Sequence, residues 1–213
     1  MTLRVIAVRH GETDWNLHGR IQGHTDIALN AQGMRQAAQC AGALAGDPID
    51  AAFSSDLSRA SETARALLNG RAVPLHLDAA FRERHYGVFE GMTGEAIAQA
   101  WPSETERWLA RDLDFCPHGG ESLNRFSVRC VNALLTLARE LNSGTVVLVT
   151  HGGVLDCLYR AATGTPLHAL RTWALRNASI NRLTVTGDQL TVESWDEGAH
   201  LIEPGNERLG HAA

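Results

Sequence analysis

Apolar residues along this chain fall into short blocks separated by stretches with helical spacing. Leu3 to Val8, Ile49 to Phe53 and Thr145 to Thr150 are brief apolar runs that read as buried strands, and Val73 to Leu77 reads as a shorter one. Asn30-Ala31-Gln32-Gly33 leads into an alanine-rich helix over 34–44. Ser54-Ser55-Asp56 follows the second strand, and Ser55 or Asp56 is a natural N-cap for a helix carrying Arg59, Thr63, Ala64, Leu67 and Leu68. Thr93 to Trp101 reads as a helix stopped by Pro102, and Glu104 to Ala110 as a second short one. Glu121 to Leu141 is the longest amphipathic helix, and Val154 to Thr163 is the last. Residues 181–185 and 190–193 suit a hairpin around Gly187-Asp188. Phe81 to Gly91 and Asp114 to Gly120 read as loops, and the tail after Pro204 as polar and frayed.

Strands alternating with helices predict an α/β fold. The expected form is a three-layer sandwich, with a mostly parallel central sheet and helices on both faces. The segment 82–121 interrupts the alternation and is expected to form a lid. The length of 213 residues suits one domain over 1–213.

Composition narrows the chemistry. The net charge of −5 gives no global basic field, so nucleic acid is not an expected partner. All 19 basic residues are arginine. A lysine-free chain cannot carry a Walker-type phosphate loop, a Schiff-base lysine or a lysine general base. Arginine stays charged at neutral pH and binds phosphate bidentately. Cys40, Cys116, Cys130 and Cys157 form no Cys-x-x-Cys pair. The apolar run at 3–8 is too short for a signal peptide, and no run reaches the roughly 18 residues of a spanning helix. A cytoplasmic protein with reduced thiols and no membrane partner is therefore expected. The ten histidines show no His-Glu-x-x-His and no close Cys/His ligand spacing, so neither metal nor cofactor is expected. A homodimer is left open.

Two junctions carry the functional signal. The first strand runs into Arg9-His10-Gly11-Glu12-Thr13, and the run at 145–150 stops at His151-Gly152-Gly153. An arginine beside an imidazole at a buried strand end is costly without a task there. Ligands of open parallel sheets sit at the carboxyl ends of the strands. Two histidines and an arginine meeting there point to chemistry on an anion, a phosphoryl group above all.

Five motifs then appear in order. They are Arg9-His10-Gly11-Glu12-Thr13-x-x-Asn16, Ser54-Ser55-x-x-x-Arg59-Ala60-x-x-Thr63-Ala64, Arg82-Glu83-x-x-x-Gly87-x-x-Glu90-Gly91, Gly119-Gly120-Glu121-Ser122 and Thr150-His151-Gly152-Gly153. Across residues 3–200 the chain resembles the histidine phosphatase superfamily, the phosphoglycerate mutase-like proteins, and its broad-specificity phosphatase branch in particular. The resemblance implies a metal-independent phosphomonoester hydrolase acting on a small phosphorylated metabolite. It implies His10 as the nucleophile that becomes phosphohistidine, with its other ring nitrogen donating to a backbone carbonyl. Arg9, Arg59 and His151 would ring the phosphoryl oxygens, His151 as a cation. Asn16, Gln22, Gly23 and Gly152 would complete the phosphate site. Glu83 would protonate the leaving alkoxide and later take a proton from water. Set against this, Arg59 could pair with Glu62 on a helix surface, Glu83 could sit in a salt bridge, and Asn16 could merely cap a turn. Trp15, Trp101 and Trp108 read as packing groups.

Phosphoglycerate mutase activity through the same phosphohistidine is the alternative, and Glu83-Arg84-His85-Tyr86-Gly87 resembles the mutases' loop. Against it, the stretch between Gly91 and Glu121 is short, no lysine exists, and Arg107 and Arg111 are not adjacent. Gly19-Arg20-Ile21-Gln22-Gly23 and Gly119-Gly120-Glu121-Ser122 resemble the phosphatase branch. A non-catalytic phospho-ligand binding module is disfavoured by the retention of His10, Glu83 and His151. A nucleotide-binding protein is disfavoured because no glycine fingerprint follows the first strand.

Overall fold

The computed structural model describes residues 1–201; the expectation for the tail after Pro204 lies outside them. Six strands form one sheet: β1 (Thr2–Arg9), β2 (Ala51–Ser54), β3 (Leu75–Leu77), β4 (Gly144–Thr150), β5 (Ile180–Thr186) and β6 (Gln189–Glu197). Their order is β3-β2-β4-β1-β5-β6. The pairs β2–β3, β2–β4 and β1–β4 are parallel, and β1–β5 and β5–β6 antiparallel. The sheet is thus mostly parallel with an antiparallel edge, as the hairpin around Gly187 requires.

Helices α2 (Ala31–Ala43) and α3 (Ser58–Leu67) cover one face, against Ile6, Val8, Val147 and Val149. Helices α6 (Leu123–Leu141) and α7 (Gly152–Thr163) cover the other, against Leu3, Val5, Ala7, Val146 and Leu148. Successive residues of β1 and β4 feed opposite cores, which is why both strands read as unbroken apolar runs. The three-layer α/β architecture is the expected one.

Local boundaries differ from the sequence expectation in instructive ways. Helix α3 has no side-chain N-cap; Leu57 occupies that position. Asp56 is instead drawn into a two-point ion pair with Arg82, at 2.7 and 2.6 Å. Asp26 takes over the orphan donors, accepting from the Ser58 N–H at 2.8 Å and its hydroxyl at 2.6 Å. A short helix, α1 (Asp14–Leu17), closes by a capping box between Thr13 and Asn16. Helix α5 (Pro102–Leu109) begins on Pro102 itself, the proline supplying its first turn rather than only ending α4 (Gly94–Ala100). The 82–121 segment has its own small core of Phe89, Ile97 and Phe115. Trp101 and Trp108 pack on Phe89, with ring centroids 5.6 and 5.7 Å away.

Candidate active site

Parallel pairing of β1 with β4 puts Arg9 opposite Thr150, and the His10 N–H donates to the Thr150 carbonyl at 2.9 Å. The next residue on each strand is therefore a histidine at the same sheet edge. The His10 and His151 rings lie 5.2 Å apart between centroids, at 59°. His10 is 3% exposed and His151 fully buried. His10 Nδ1 donates to the Gly11 carbonyl at 2.7 Å. That bond places the proton on Nδ1 and leaves Nε2 as the lone-pair nitrogen.

Burial, then the charges of Arg59 and Arg9, hold the His10 imidazole neutral well below the usual histidine range, against the opposing bond to Gly11. A neutral ring is what a nucleophile needs. Burial, then Arg59, His10 and Arg9, act on His151 in the same direction. This departs from the expected cation. The protein's own groups favour neutral His151, and a phosphoryl dianion against the ring would supply the charge that reverses the balance.

Arg59 is fully buried on α3 and makes no pair with Glu62, whose carboxylate accepts from the Leu29 N–H at 3.3 Å. Its two terminal nitrogens donate to the carbonyls of Thr25 (3.0 Å) and Gly23 (2.8 Å). Burial pulls its guanidinium down to about 10. Arg9 donates to the Leu175 carbonyl at 2.5 Å. Several buried groups remain without a partner among the described residues: Nε of Arg9, Nε of Arg59, both ring nitrogens of His151 and Oε1 of Gln22. Buried donors are seldom left unpaired, so the two arginine Nε–H groups and the His151 N–H fit an anion.

Arg9, Glu83 and Gly152 line one cavity of about 280 Å³ together with Arg84, Arg111 and Arg171. Glu83 reaches it from the start of the 82–121 segment. Its Oε1 accepts from the Arg84 N–H at 2.8 Å and its Oε2 from the Gly153 N–H at 2.9 Å. Among the described residues it makes no surface salt bridge. The carboxylate rests on the first turn of α7. Asn16 does cap α1, yet its Oδ1 also accepts from Asn177 at 3.3 Å, which leaves its amide N–H groups as the part to offer an anion. Gln22 and Gly23 lie in the loop that holds Arg59. Trp108, expected only to pack, also lines the cavity.

Among the described residues, no group of three or more His, Cys, Asp or Glu side chains is arranged to hold a metal ion, and no helix is long and apolar enough to cross a membrane.

The family model of the histidine phosphatase superfamily (branch 1) matches residues 5–198. The chain belongs to this superfamily. Phosphoglycerate mutase-like protein 4 of Arabidopsis thaliana is 35% identical over 206 residues, 94% of this chain and 88% of the relative. The metal-independent phosphoserine phosphatase of the same plant is 34% identical over 205 residues, 94% of this chain and 84% of the relative. Among solved structures, Bacillus stearothermophilus YhfR superposes with a TM-score of 0.87 at 32% identity, over 94% of this chain and 100% of that one. Histidine phosphatases are enzymes, and this chain is one of them.

Three residues around the site were not legible beforehand. Asn177 donates to the His10 carbonyl at 3.0 Å as well as to Asn16. Thr63 accepts from the Gly11 N–H at 3.0 Å and donates to the Arg59 carbonyl at 2.7 Å, joining the two halves of the site. Glu90 accepts from the N–H groups of His24 (2.9 Å), Thr25 (2.8 Å) and Tyr86 (3.0 Å), and from the Thr25 hydroxyl. Burial raises the proton affinity of Glu90, but these donors outweigh it and keep the group low. Thr63 and Glu90 fall within the second and third sequence motifs, but their roles arise only from the segments that fold against them. Asn177 carries no sequence signal of its own.

Proposed function

We propose that this chain hydrolyses small phosphomonoesters through a phosphohistidine on His10, without a metal ion. The observation that carries this is the tautomer of His10, fixed by Gly11 so that Nε2 is the free nitrogen, beside buried and unpartnered arginine and His151 groups.

In the first step Nε2 attacks phosphorus and the ester oxygen leaves as an alkoxide, taking a proton from Glu83. Arg9, Arg59, His151 and Asn16 hold the equatorial oxygens as charge spreads over them. The N–H of Gly152, in the first turn of α7, adds a donor. In the second step Glu83 takes a proton from water, the water oxygen bonds to phosphorus, and the His10–phosphorus bond breaks to release inorganic phosphate.

Mutase activity is the second reading, favoured by the name of the first relative. It has less support from the residues that would hold a second phosphate. Arg107 pairs with Asp112 at the surface, Arg111 with Asp156, and Arg84 is committed to the carbonyls of Glu121 and Phe115.

The test is a screen of small phosphomonoesters in the presence of a strong chelator, with mutase turnover assayed in parallel. Hydrolysis should survive the chelator, and acid quenching with a slow substrate should trap acid-labile phosphate on His10. His10→Ala should lose roughly 10⁴-fold or more in rate. Near-normal turnover by His10→Ala, or activity restored by one specific metal, would overturn the reading.

A further inference from the structure

Arg9, Glu83 and Gly152, which serve the phosphoryl site, line the 280 Å³ cavity together with three further arginines and an apolar wall. Among the described residues, four arginines line the cavity, Arg9, Arg84, Arg111 and Arg171, against two carboxylates, Glu83 and Asp156. Their commitments differ. Arg84 spends its Nε on the Glu121 carbonyl and a terminal nitrogen on that of Phe115, both at 2.8 Å. Arg111 gives its Nε to the Leu167 carbonyl at 2.7 Å and a terminal nitrogen to Asp156 at 3.0 Å. Asp156 in turn accepts from Arg160 at 2.9 Å, so its charge is already shared between two cations. Arg9 is anchored on Leu175 and keeps its Nε unpartnered beside Gly152.

Arg171 stands apart. It lies on the connection between α7 and β5, is exposed, and has no hydrogen bond or ion pair among the described residues. It is close enough to Arg9 for the two like charges to act on each other. Two guanidinium groups facing one cavity, with the Arg171 fork uncommitted, are arranged to hold an anion between or beside them. The phosphoryl group meets Arg9 from the His10 side. A second anionic group, carried farther along the same molecule, is what would meet Arg171. Leu123, Phe126 and Leu175 supply the apolar wall along which a short carbon chain would run.

We propose that Arg171 is a specificity residue, and that the preferred substrates are small phosphomonoesters whose carbon chain carries a carboxylate. The guanidinium fork matches the two oxygens of a carboxylate in a parallel pair. This rests on the phosphatase reading of the same cavity and deepens it. The charge for the second anion then comes from the α7–β5 connection rather than from the lid, where Arg84, Arg107 and Arg111 are committed to other partners.

The experiment compares O-phosphoserine with O-phosphoethanolamine, which differ only by the carboxylate, in the full chain and in Arg171→Gln and Arg171→Lys. The full chain should prefer phosphoserine in kcat/KM by about ten- to a hundredfold, the effect of one charge-assisted hydrogen-bonded pair. Arg171→Gln should shrink that ratio about tenfold or more, chiefly by raising KM for phosphoserine. Arg171→Lys should recover part of the ratio, since it keeps the charge and loses the fork. A residue that merely supported the loop would lower both substrates together and leave the ratio alone; that result overturns the proposal. So does a full chain that turns over the two esters equally. Failure to hydrolyse any phosphomonoester is a different outcome, since it removes the phosphatase reading beneath the proposal.

Discussion

Gly153 donates its N–H to Oε2 of Glu83 at 2.9 Å, and a Cβ built on Gly153 would stand 2.0 Å from Oε1 of the same carboxylate. The first turn of α7 is thus shaped so that a carboxylate from another segment can lie directly on it. Glycine is required here for close approach, not for an unusual backbone angle. Gly153→Ala should therefore displace Glu83 by an ångström or more while leaving the helix intact. The expected result is a fall of about 10²-fold in turnover of alkyl phosphates. The melting temperature should move by no more than a few degrees, because alanine suits a helix. Unaltered kinetics would mean that Glu83 does not need this seat.

Glu83→Gln keeps the shape and removes the proton. Alkyl phosphates, whose alkoxide must be protonated as it leaves, should slow by roughly 10²–10⁴-fold in the phosphorylation step. Aryl phosphates with an acidic phenol should slow less in that step. Burst kinetics isolates it from dephosphorylation, in which Glu83 acts again. Equal slowing of both classes would reassign Glu83 to orientation of the site.

Glu90 holds the 22–25 loop whose carbonyls fix Arg59, and it also holds the Tyr86 backbone of the lid. Glu90→Gln offers one acceptor oxygen where two were used, and presents N–H groups to N–H donors. Inhibition by inorganic phosphate should weaken roughly tenfold, the scale of a lost hydrogen bond to a charged group. Stability should fall by about 1–3 kcal/mol. Unchanged phosphate inhibition would show that Arg59 is held without this carboxylate.

His10 and His151 also set an acid limit on stability. Both are buried and held neutral well below the usual range, whereas in the unfolded chain they titrate near about 6.5. Below that pH the unfolded state binds protons that the folded state refuses. Stability from these two groups is therefore full above about pH 6.5 and declines as pH falls toward their folded values, by up to about 1.4 kcal/mol per pH unit for each group. Denaturant unfolding of the full chain against His151→Asn between pH 7 and pH 5 measures this. The variant should lose less stability over the interval; identical slopes would show that His151 does not titrate differently in the folded state.

The sequence made much of this protein legible because its signals are local. Alternating apolar and helical segments specified a layered α/β fold, since a strand covered on both faces has no polar side to show. The two His-Gly junctions marked the strand ends where an anion binds, because charged groups at the end of a buried strand need a partner. Other features depend on contacts between segments far apart in the chain. Pairing of β1 with β4, which puts Arg9 opposite Thr150 from 141 residues later in the chain, is what sets His10 beside His151. Arg82 drew Asp56 away from the cap that local rules assign to it. Glu90 and Thr63 stood in plain view, but their tasks arise from the loop and strand that fold against them. The neutrality of His151 likewise needed three dimensions: burial and the nearby charge of Arg59 set it, and neither can be read from the residues beside His151 in the chain.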